Sequence, residues 1–325
     1  MTKIRFAIVG TNFISDRFVE ATSASECAEI VAVYSRKLDT GRHFADKYGI
    51  KKAYSDYTDM LSDGDVDAVY IASPTFCHKE HAEAALLSDK HVLCEKMITT
   101  TEAELDSLIA LAMERGLILL EAMRPDFDPA YDTLRSALTE IGKIRRATLE
   151  FCQYSSRYDK FLAGEVLNAF DPKMKNSALA DIGIYPLHLA VSLFGKPQRL
   201  TASSVFLDNG FEGSGSITLD YGEMLCQVIY SKITDSVNPS VIEGERGSIT
   251  VDKINAPTRI TLRLRGESAV DLPLTPVDNN MVFEIEAFSR MVAGQDTPDG
   301  YLAVSKDTMN LVEQAYSQTG ATDKM

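Results

Sequence analysis

Residues 4–15 read Ile4-Arg5-Phe6-Ala7-Ile8-Val9-Gly10-Thr11-Asn12-Phe13-Ile14-Ser15. The short apolar run Ile4–Val9 is a strand pattern, Gly10 supplies a sharp turn, and Ile14–Ala24 carries a helical pattern. A strand, a tight turn and a helix in this order form the cradle in which a dinucleotide's diphosphate meets a helix N-terminus, whose amide groups favour an anion. The full fingerprint has glycine at positions 10, 12 and 15, and here only Gly10 is glycine. Asn12 is among the few residues that tolerate a left-handed backbone, and its side chain either contacts the diphosphate or holds it further away. Ser15 is small enough for close packing of helix on strand. The competing reading is an ordinary strand–helix turn that binds nothing.

Outward from this turn the first third of the chain keeps alternating. Strands are expected at Ile30–Tyr34, Ala68–Ala72, His91–Cys94 and Leu117–Glu121. Helices are expected at Thr40–Tyr48, at His81–Ser88, and from a capping box at Thr101 and Glu104 to a stop at Gly116. Strands apolar on both faces, separated by helices, indicate a parallel sheet covered on both sides. After about residue 124 the pattern changes. Beyond a helix at Tyr131–Thr139, strands dominate at Arg145–Gln153, Arg199–Leu207, Ser216–Tyr221, Met224–Ser231, Ser240–Glu243 and Ser248–Val251. Period-two alternation such as Leu225-Cys226-Gln227-Val228 suits an antiparallel sheet with helices on one face. Helices at Phe283–Ala293 and Ala303–Gln318 close the chain. The expected fold class is α/β: a doubly wound parallel sheet over residues 1–123, then an α+β domain with a large, mostly antiparallel open sheet over 124–325.

The formal net charge of −14 disfavours nucleic acid and anionic membrane partners, so a bound anion needs a local basic patch. The five cysteines, Cys27, Cys77, Cys94, Cys152 and Cys226, are scattered without zinc-ligand spacing, and no metal is expected. Reduced thiols, a strand pattern from Ile4 in place of a signal peptide, and no apolar run of roughly 18 residues point to a cytoplasmic protein. A basic patch does occur. At the end of the second strand, where an NAD-preferring site places a carboxylate on the ribose hydroxyls, the chain has Ser35-Arg36-Lys37, with Arg42 further on. Cations there suit a 2′-phosphate, and the expected cofactor is NADP(H), with NAD(H) the lesser alternative.

Four segments give the chain a close resemblance to the Gfo/Idh/MocA oxidoreductase family. They are Ile8-Val9-Gly10, then Ala72-Ser73-Pro74-Thr75 with His78, then His91-Val92-Leu93-Cys94-Glu95-Lys96, and Ala180-Asp181-Ile182-Gly183-Ile184-Tyr185-Pro186. The similarity extends to the turn Ile242-Glu243-Gly244-Glu245-Arg246-Gly247-Ser248-Ile249. The Tyr of the Asp-x-Gly-x-Tyr motif is similar to the dimeric dihydrodiol dehydrogenase and glucose–fructose oxidoreductase subgroup. The resemblance implies a Rossmann domain, a second domain whose open sheet forms homodimers or homotetramers, and a small-molecule substrate.

It further implies hydride transfer between nicotinamide and a sugar, a sugar derivative or a related hydroxy or carbonyl compound. Lys96 is then expected to bind the substrate oxygen and the carboxamide, Tyr185 to donate the proton, and Asp181 to orient Lys96 or the substrate. On an α-helix Asp181 and Tyr185 share a face. The expected cofactor contacts are Gly10, Thr11, Asn12, Phe13, Ile14, Ser35, Arg36, Lys37, Ser73, Pro74, Thr75, His78, Glu95 and Lys96. Arg124 and His188 are expected substrate contacts. The loop from Ser155 to Asn176 is expected to shape specificity. Where the family has proline after the lysine this chain has Met97, which leaves the Lys96–Met97 bond either cis or trans. Two other functions compete: a redox-assisted glycosidase that keeps its dinucleotide bound, and a non-catalytic NADP(H) sensor.

Overall fold

The computed structural model describes residues 3–275 and 277–322. The chain divides into two compact units. The first holds the residues up to Phe127 and the segment Val277–Ala303, and the second begins at Asp128 and takes in the chain from Val304 onward.

The first unit is built on a six-stranded parallel sheet, with β1 (Ile4–Val9), β2 (Ala28–Tyr34), β3 (Lys52–Tyr54), β4 (Ala68–Ile71), β5 (His91–Glu95) and β6 (Leu119–Ala122) in the order 3-2-1-4-5-6. The strands form because each offers apolar side chains to both sides. Phe6, Ile8, Tyr70 and Leu93 enter one core, and Ala7, Val9, Val69, Ile71, Val92 and Cys94 enter the other. The order reverses direction at β1 and β4, so the loops at the carboxyl ends of these strands form the switch point where doubly wound sheets bind ligands.

Helices α1 (Phe13–Ala24), α2 (Leu38–Tyr48), α3 (Tyr57–Leu61), α4 (His78–Leu87) and α5 (Glu102–Arg115) belong to this unit. The capping box forms with a variation: Thr101 Oγ1 accepts from Glu104 N–H at 3.2 Å, while Glu104 Oε2 reaches the amide of Thr100 at 3.0 Å. Gly116 closes α5 in a left-handed conformation. Strand β3 is additional to the expected set, because three half-buried residues carry little periodic signal.

The second unit carries α6 (Pro129–Leu138), α7 (Tyr158–Leu162) and α8 (Ile184–Phe194). Its eight-stranded sheet comprises β7 (Ile144–Cys152), β8 (Arg199–Phe206), β9 (Glu212–Asp220), β10 (Leu225–Ser231), β11 (Ser240–Gly244), β12 (Gly247–Val251), β13 (Ile260–Leu264) and β14 (Val270–Asp271). The order is 14-13-12-11-7-10-9-8, antiparallel except for β7 with β10. Strands β13 and β14 are also additional to the expected set.

The division of the chain differs from the expected one. The boundary falls after Phe127 rather than after residue 123, and 277–303 lies in the first unit rather than the second. The reason is burial: Met281, Ile285, Phe288 and Met291 of α9 (Met281–Val292) enter the same core as Phe6 and Phe18. Phe288 sits 5.4 Å from Phe6, ring centre to ring centre. The last helix, α10 (Asp299–Thr319), follows. No helix among the described residues is long and apolar enough to cross a membrane.

Candidate active site

Gly10 has φ +108°, and a Cβ at this position would lie 2.8 Å from the carbonyl oxygen of Ala72, so only glycine fits between the ends of β1 and β4. Asn12 does not use the left-handed freedom expected of it. Its backbone is extended and its side chain caps α1, with Oδ1 accepting from the amides of Ile14 (3.0 Å) and Ser15 (3.2 Å). Its Nδ2 donates to Ala72 O at 2.8 Å. Where the fingerprint has a second glycine, this chain therefore has a side chain that ties the turn to the end of β4. Two amides of the first helical turn are thereby occupied, among them that of Ile14, an expected cofactor contact. Ser15 Oγ donates to Gly10 O at 3.1 Å, and Phe13 is 71% exposed on the outside of the turn.

At the end of β2, Ser35 donates its amide to Tyr54 O, and Arg36 and Lys37 are exposed. The Arg36 guanidinium is near enough to Cys77 and His81 to pull the pKa of both down, although burial is the larger influence on each. The charge thus lies beside the loop that follows β4. In that loop Ser73 Oγ meets His81 Nδ1 at 2.9 Å, and Thr75–Cys77 is a short 3-10 turn after Pro74. His78 is fully buried. Its Nδ1 lies 2.7 Å from Met97 O and its Nε2 2.8 Å from Ser73 O. Burial pushes its pKa down, against the two carbonyls and Glu95, which raise it. His78 therefore joins two loops of the first unit as a bridge.

The peptide bond between Lys96 and Met97 is cis. The backbone around Lys96 is held from three sides. Glu95 accepts from Tyr70 Oη at 2.6 Å, Met97 O meets His78, and the amide of Ile98 donates to Glu121 Oε1 at 2.9 Å. Lys96 itself is partly exposed, between buried Glu95 and buried Met97. Glu95, an expected cofactor contact, is thus engaged with Tyr70 inside the unit. Arg124, an expected substrate contact, has its charge beside the same buried group: burial first raises the pKa of both Tyr70 and Glu284 well above their ordinary values, and Arg124 partly opposes this in each. Glu284 on α9 was not singled out from the sequence. It is fully buried, and neither carboxyl oxygen has a hydrogen-bond partner among the described residues. Burial first, and Glu95 second, hold its pKa well above the usual carboxylate range.

In the second unit the motif Asp181-x-Gly183-x-Tyr185 spans a wide π-helical turn, Leu179–Gly183, that runs into α8. The α-helical spacing expected for Asp181 and Tyr185 is thereby altered, since hydrogen bonds in such a turn reach one residue further. Asp181 keeps 38% of its side chain exposed, whereas Tyr185 is buried, 5.7 Å from the ring of Phe151. The turn is pinned at its start. Buried Glu212 accepts from Leu179 N–H at 3.0 Å, and Ser177 Oγ accepts from Ala180 N–H at 3.0 Å. Gly183 lies against Tyr230, and a Cβ there would come within 2.7 Å of the ring. The Tyr230 hydroxyl donates to Glu212 at 2.8 Å.

His188, the second expected substrate contact, is fully buried with Nδ1 3.4 Å from Thr308 Oγ1, the position of a core histidine. The residue that sequence reasoning missed is Lys232, which pairs with Asp181 at 2.7 Å. Its only signal was a lysine directly after a strand with a buried end. No group of His, Cys, Asp and Glu among the described residues could hold a metal, and all five cysteines are free thiols.

Comparison with known proteins bears on both units. Residues 4–123 match the Gfo/Idh/MocA oxidoreductase family, NAD-binding Rossmann fold, and residues 131–250 match that family's C-terminal domain. The chain is 39% identical to scyllo-inositol 2-dehydrogenase (NADP(+)) of Bacillus subtilis, over 98% of this chain and 97% of that protein. It is 30% identical to trans-1,2-dihydrobenzene-1,2-diol dehydrogenase of Mus musculus, over 80% of this chain and 78% of that one. Among solved structures, a 3-ketoreductase from Actinomadura kijaniata in complex with NADP and TDP-benzene superposes with a TM-score of 0.88, at 25% identity and 98% coverage of both chains. The chain belongs to the Gfo/Idh/MocA family of oxidoreductases.

Proposed function

We propose that this protein is an NADP(H)-dependent dehydrogenase that oxidises one secondary hydroxyl of a six-membered ring bearing adjacent hydroxyls, or reduces the corresponding ketone. The substrate class rests on a shared chemical feature. scyllo-Inositol and trans-dihydrobenzenediol, named in two relatives, both present trans vicinal hydroxyls on a six-membered carbon ring.

The chain fits the cofactor. The observation that carries this reading is the Gly10 approach to Ala72 together with Arg36 and Lys37 at the end of β2. We assign the diphosphate to the amides of Asn12 and Phe13, since Asn12 Oδ1 already takes those of Ile14 and Ser15. Arg36 and Lys37 are assigned to the 2′-phosphate, and the turn Ser73–Thr75 to the neighbouring face. His78 and Glu95 act from behind, by holding the Ser73 carbonyl and the base of Lys96.

When bound, the nicotinamide accepts or supplies the hydride. The chain's own groups manage the oxygen. The Lys96 ammonium binds the substrate oxygen and stabilises its developing alkoxide character. In the reductive direction the Tyr185 phenol gives a proton to that oxygen, and in the oxidative direction it takes one. Asp181 accepts a hydrogen bond from a neighbouring hydroxyl and so sets which ring carbon presents its hydrogen. Arg124 and His188 are not assigned to substrate, given their engagements within each unit. We further propose a cytoplasmic homodimer or homotetramer joined through the second sheet, on whose strands Val205, Leu225 and Val270 are exposed.

The test is oxidation of scyllo-inositol by the purified protein with NADP⁺ and with NAD⁺, followed by formation of the reduced nucleotide. Turnover that prefers NADP⁺ and falls by about 10²–10⁴-fold in Lys96→Ala supports the proposal. No turnover of scyllo-inositol or of trans-dihydrobenzenediol would overturn the substrate class.

A further inference from the structure

Lys232 directly follows β10 and is only 3% exposed. Burying an ammonium is costly unless it is paired and hydrogen-bonded, so its partners define its role. One is Asp181 Oδ2, 2.7 Å away. Another is the carbonyl oxygen of Ala169 at 3.1 Å. The Nζ also stands 5.1 Å from the ring centre of Phe170 and 5.4 Å from that of Phe211, both fully buried.

These partners come from different places. Asp181 belongs to the pinned turn before α8. Ala169 and Phe170 belong to the segment 155–176, where Phe170 stacks on Tyr158 at 5.5 Å and meets Phe161 at 5.9 Å. Asn209 fixes the same segment by donating to Phe170 O at 2.8 Å. A single buried cation therefore grips the motif carboxylate with one donor and the loop 155–176 with another.

We propose that Lys232 is a positioning residue, a buried clamp that locks Asp181 to the docked loop 155–176, so that the aim of the carboxylate at a substrate hydroxyl depends on that loop. This rests on the assignment of Asp181 to the substrate. The clamp gives the loop a route to selectivity: changes in its sequence or order reach the reacting ring through Lys232 and Asp181.

A double-mutant cycle and a proteolysis assay test this. Lys232→Met keeps the length of the side chain and removes the charge, and Lys232→Arg keeps the charge. Misplacing a substrate-orienting group by a fraction of an ångström to 1 Å costs up to about 10²-fold. Lys232→Met should thus lower kcat/KM for scyllo-inositol with NADP⁺ by about 10–100-fold, with NADPH affinity unchanged and partial recovery in Lys232→Arg. In an Asp181→Asn background the same Lys232→Met change should cost less than about twofold, since the group it aims is gone.

Independently of turnover, trypsin should cut at Lys160, Lys173 or Lys175 about tenfold faster in Lys232→Met than in the parent or in Lys232→Arg. Equal losses from Lys232→Met in both backgrounds, or unchanged cleavage of the loop, would overturn the clamp while leaving Asp181 in place. Parental kcat/KM in Asp181→Asn would overturn the assignment of Asp181, and the clamp's role with it.

Discussion

Gly183→Ala separates the placement of the motif turn from its stability. The added Cβ would lie 2.7 Å from Tyr230 Cγ, 2.9 Å from Cδ1 and 3.0 Å from Leu179 Cδ1. Carbon–carbon contact requires about 3.5–4.0 Å, so roughly 1 Å of separation has to be found. Tyr230 has little freedom to supply it. Its strand is paired on both sides, with β7 and with β9, and its hydroxyl is bonded to Glu212. At the far end of the ring, a Cβ at Gly215 would lie 2.3 Å from the hydroxyl oxygen, so the β9 backbone closes that side. The turn that carries Asp181 is the part that moves.

Overpacking of this kind costs about 1–3 kcal/mol, and alanine in place of glycine in a helical segment returns about 0.8–1 kcal/mol. The net loss of stability is therefore about 0–2 kcal/mol, a melting shift of at most about 8 °C. Displacing Asp181 by up to about 1 Å costs far more in turnover, on the order of 10²-fold in kcat/KM. Three measurements on one variant decide it: the melting temperature, kcat/KM for scyllo-inositol with NADP⁺, and NADPH affinity, which should not change. A folded Gly183→Ala protein with parental kcat/KM would refute the reasoning that the turn's position sets the rate.

Other perturbations probe the first unit. Asn12→Gly restores the fingerprint glycine and frees the amides of Ile14 and Ser15 for an anion. NADPH should bind more tightly, while urea unfolding shows a stability loss of about 1 kcal/mol from the missing bond to Ala72 and the weaker cap. An unchanged nucleotide affinity would show that those two amides do not face the diphosphate. Glu284→Gln removes a carboxyl whose pKa in the fold is raised by burial above its unfolded value of about 4.3. Its contribution is fully present below the unfolded pKa and is lost as pH rises toward the folded one. The parent should therefore lose about 1.4 kcal/mol per pH unit relative to Glu284→Gln above pH ~5, for as long as the fold retains the proton. Parallel stability curves for the two proteins as pH rises above ~5 would contradict this.

The alternation of apolar strands and helices announced the parallel sheet, because both faces of β1, β4 and β5 are covered and the strands read as mostly apolar runs. The same logic failed for β3 and β14, which have three and two residues, too few for a period to show. It also failed for the chain's division, since an amphipathic helix such as α9 does not record in its own sequence which core it joins. At the candidate site, residue type was readable and engagement was not. Asn12 could be seen to replace a glycine, but its capping of α1 depends on where Ala72 O lies. His78 and Glu95 carry the chemistry of ligand contacts, yet His78 engages the Ser73 carbonyl of its own loop and that of Met97, and Glu95 engages Tyr70, the last two partners brought close by the sheet. Lys232 lies 51 positions from Asp181, and only the fold joins them.

The assignment of an NADP(H) site to the turn after β1 and the cations after β2 is tested most directly by titrating the purified protein with NADPH and with NADH, beside an Arg36→Ala variant. NADPH should bind at least about tenfold more tightly than NADH, the worth of one charge-assisted pair, and the variant should lose that preference. Binding of neither nucleotide, or an undiminished NADPH preference in Arg36→Ala, would contradict it.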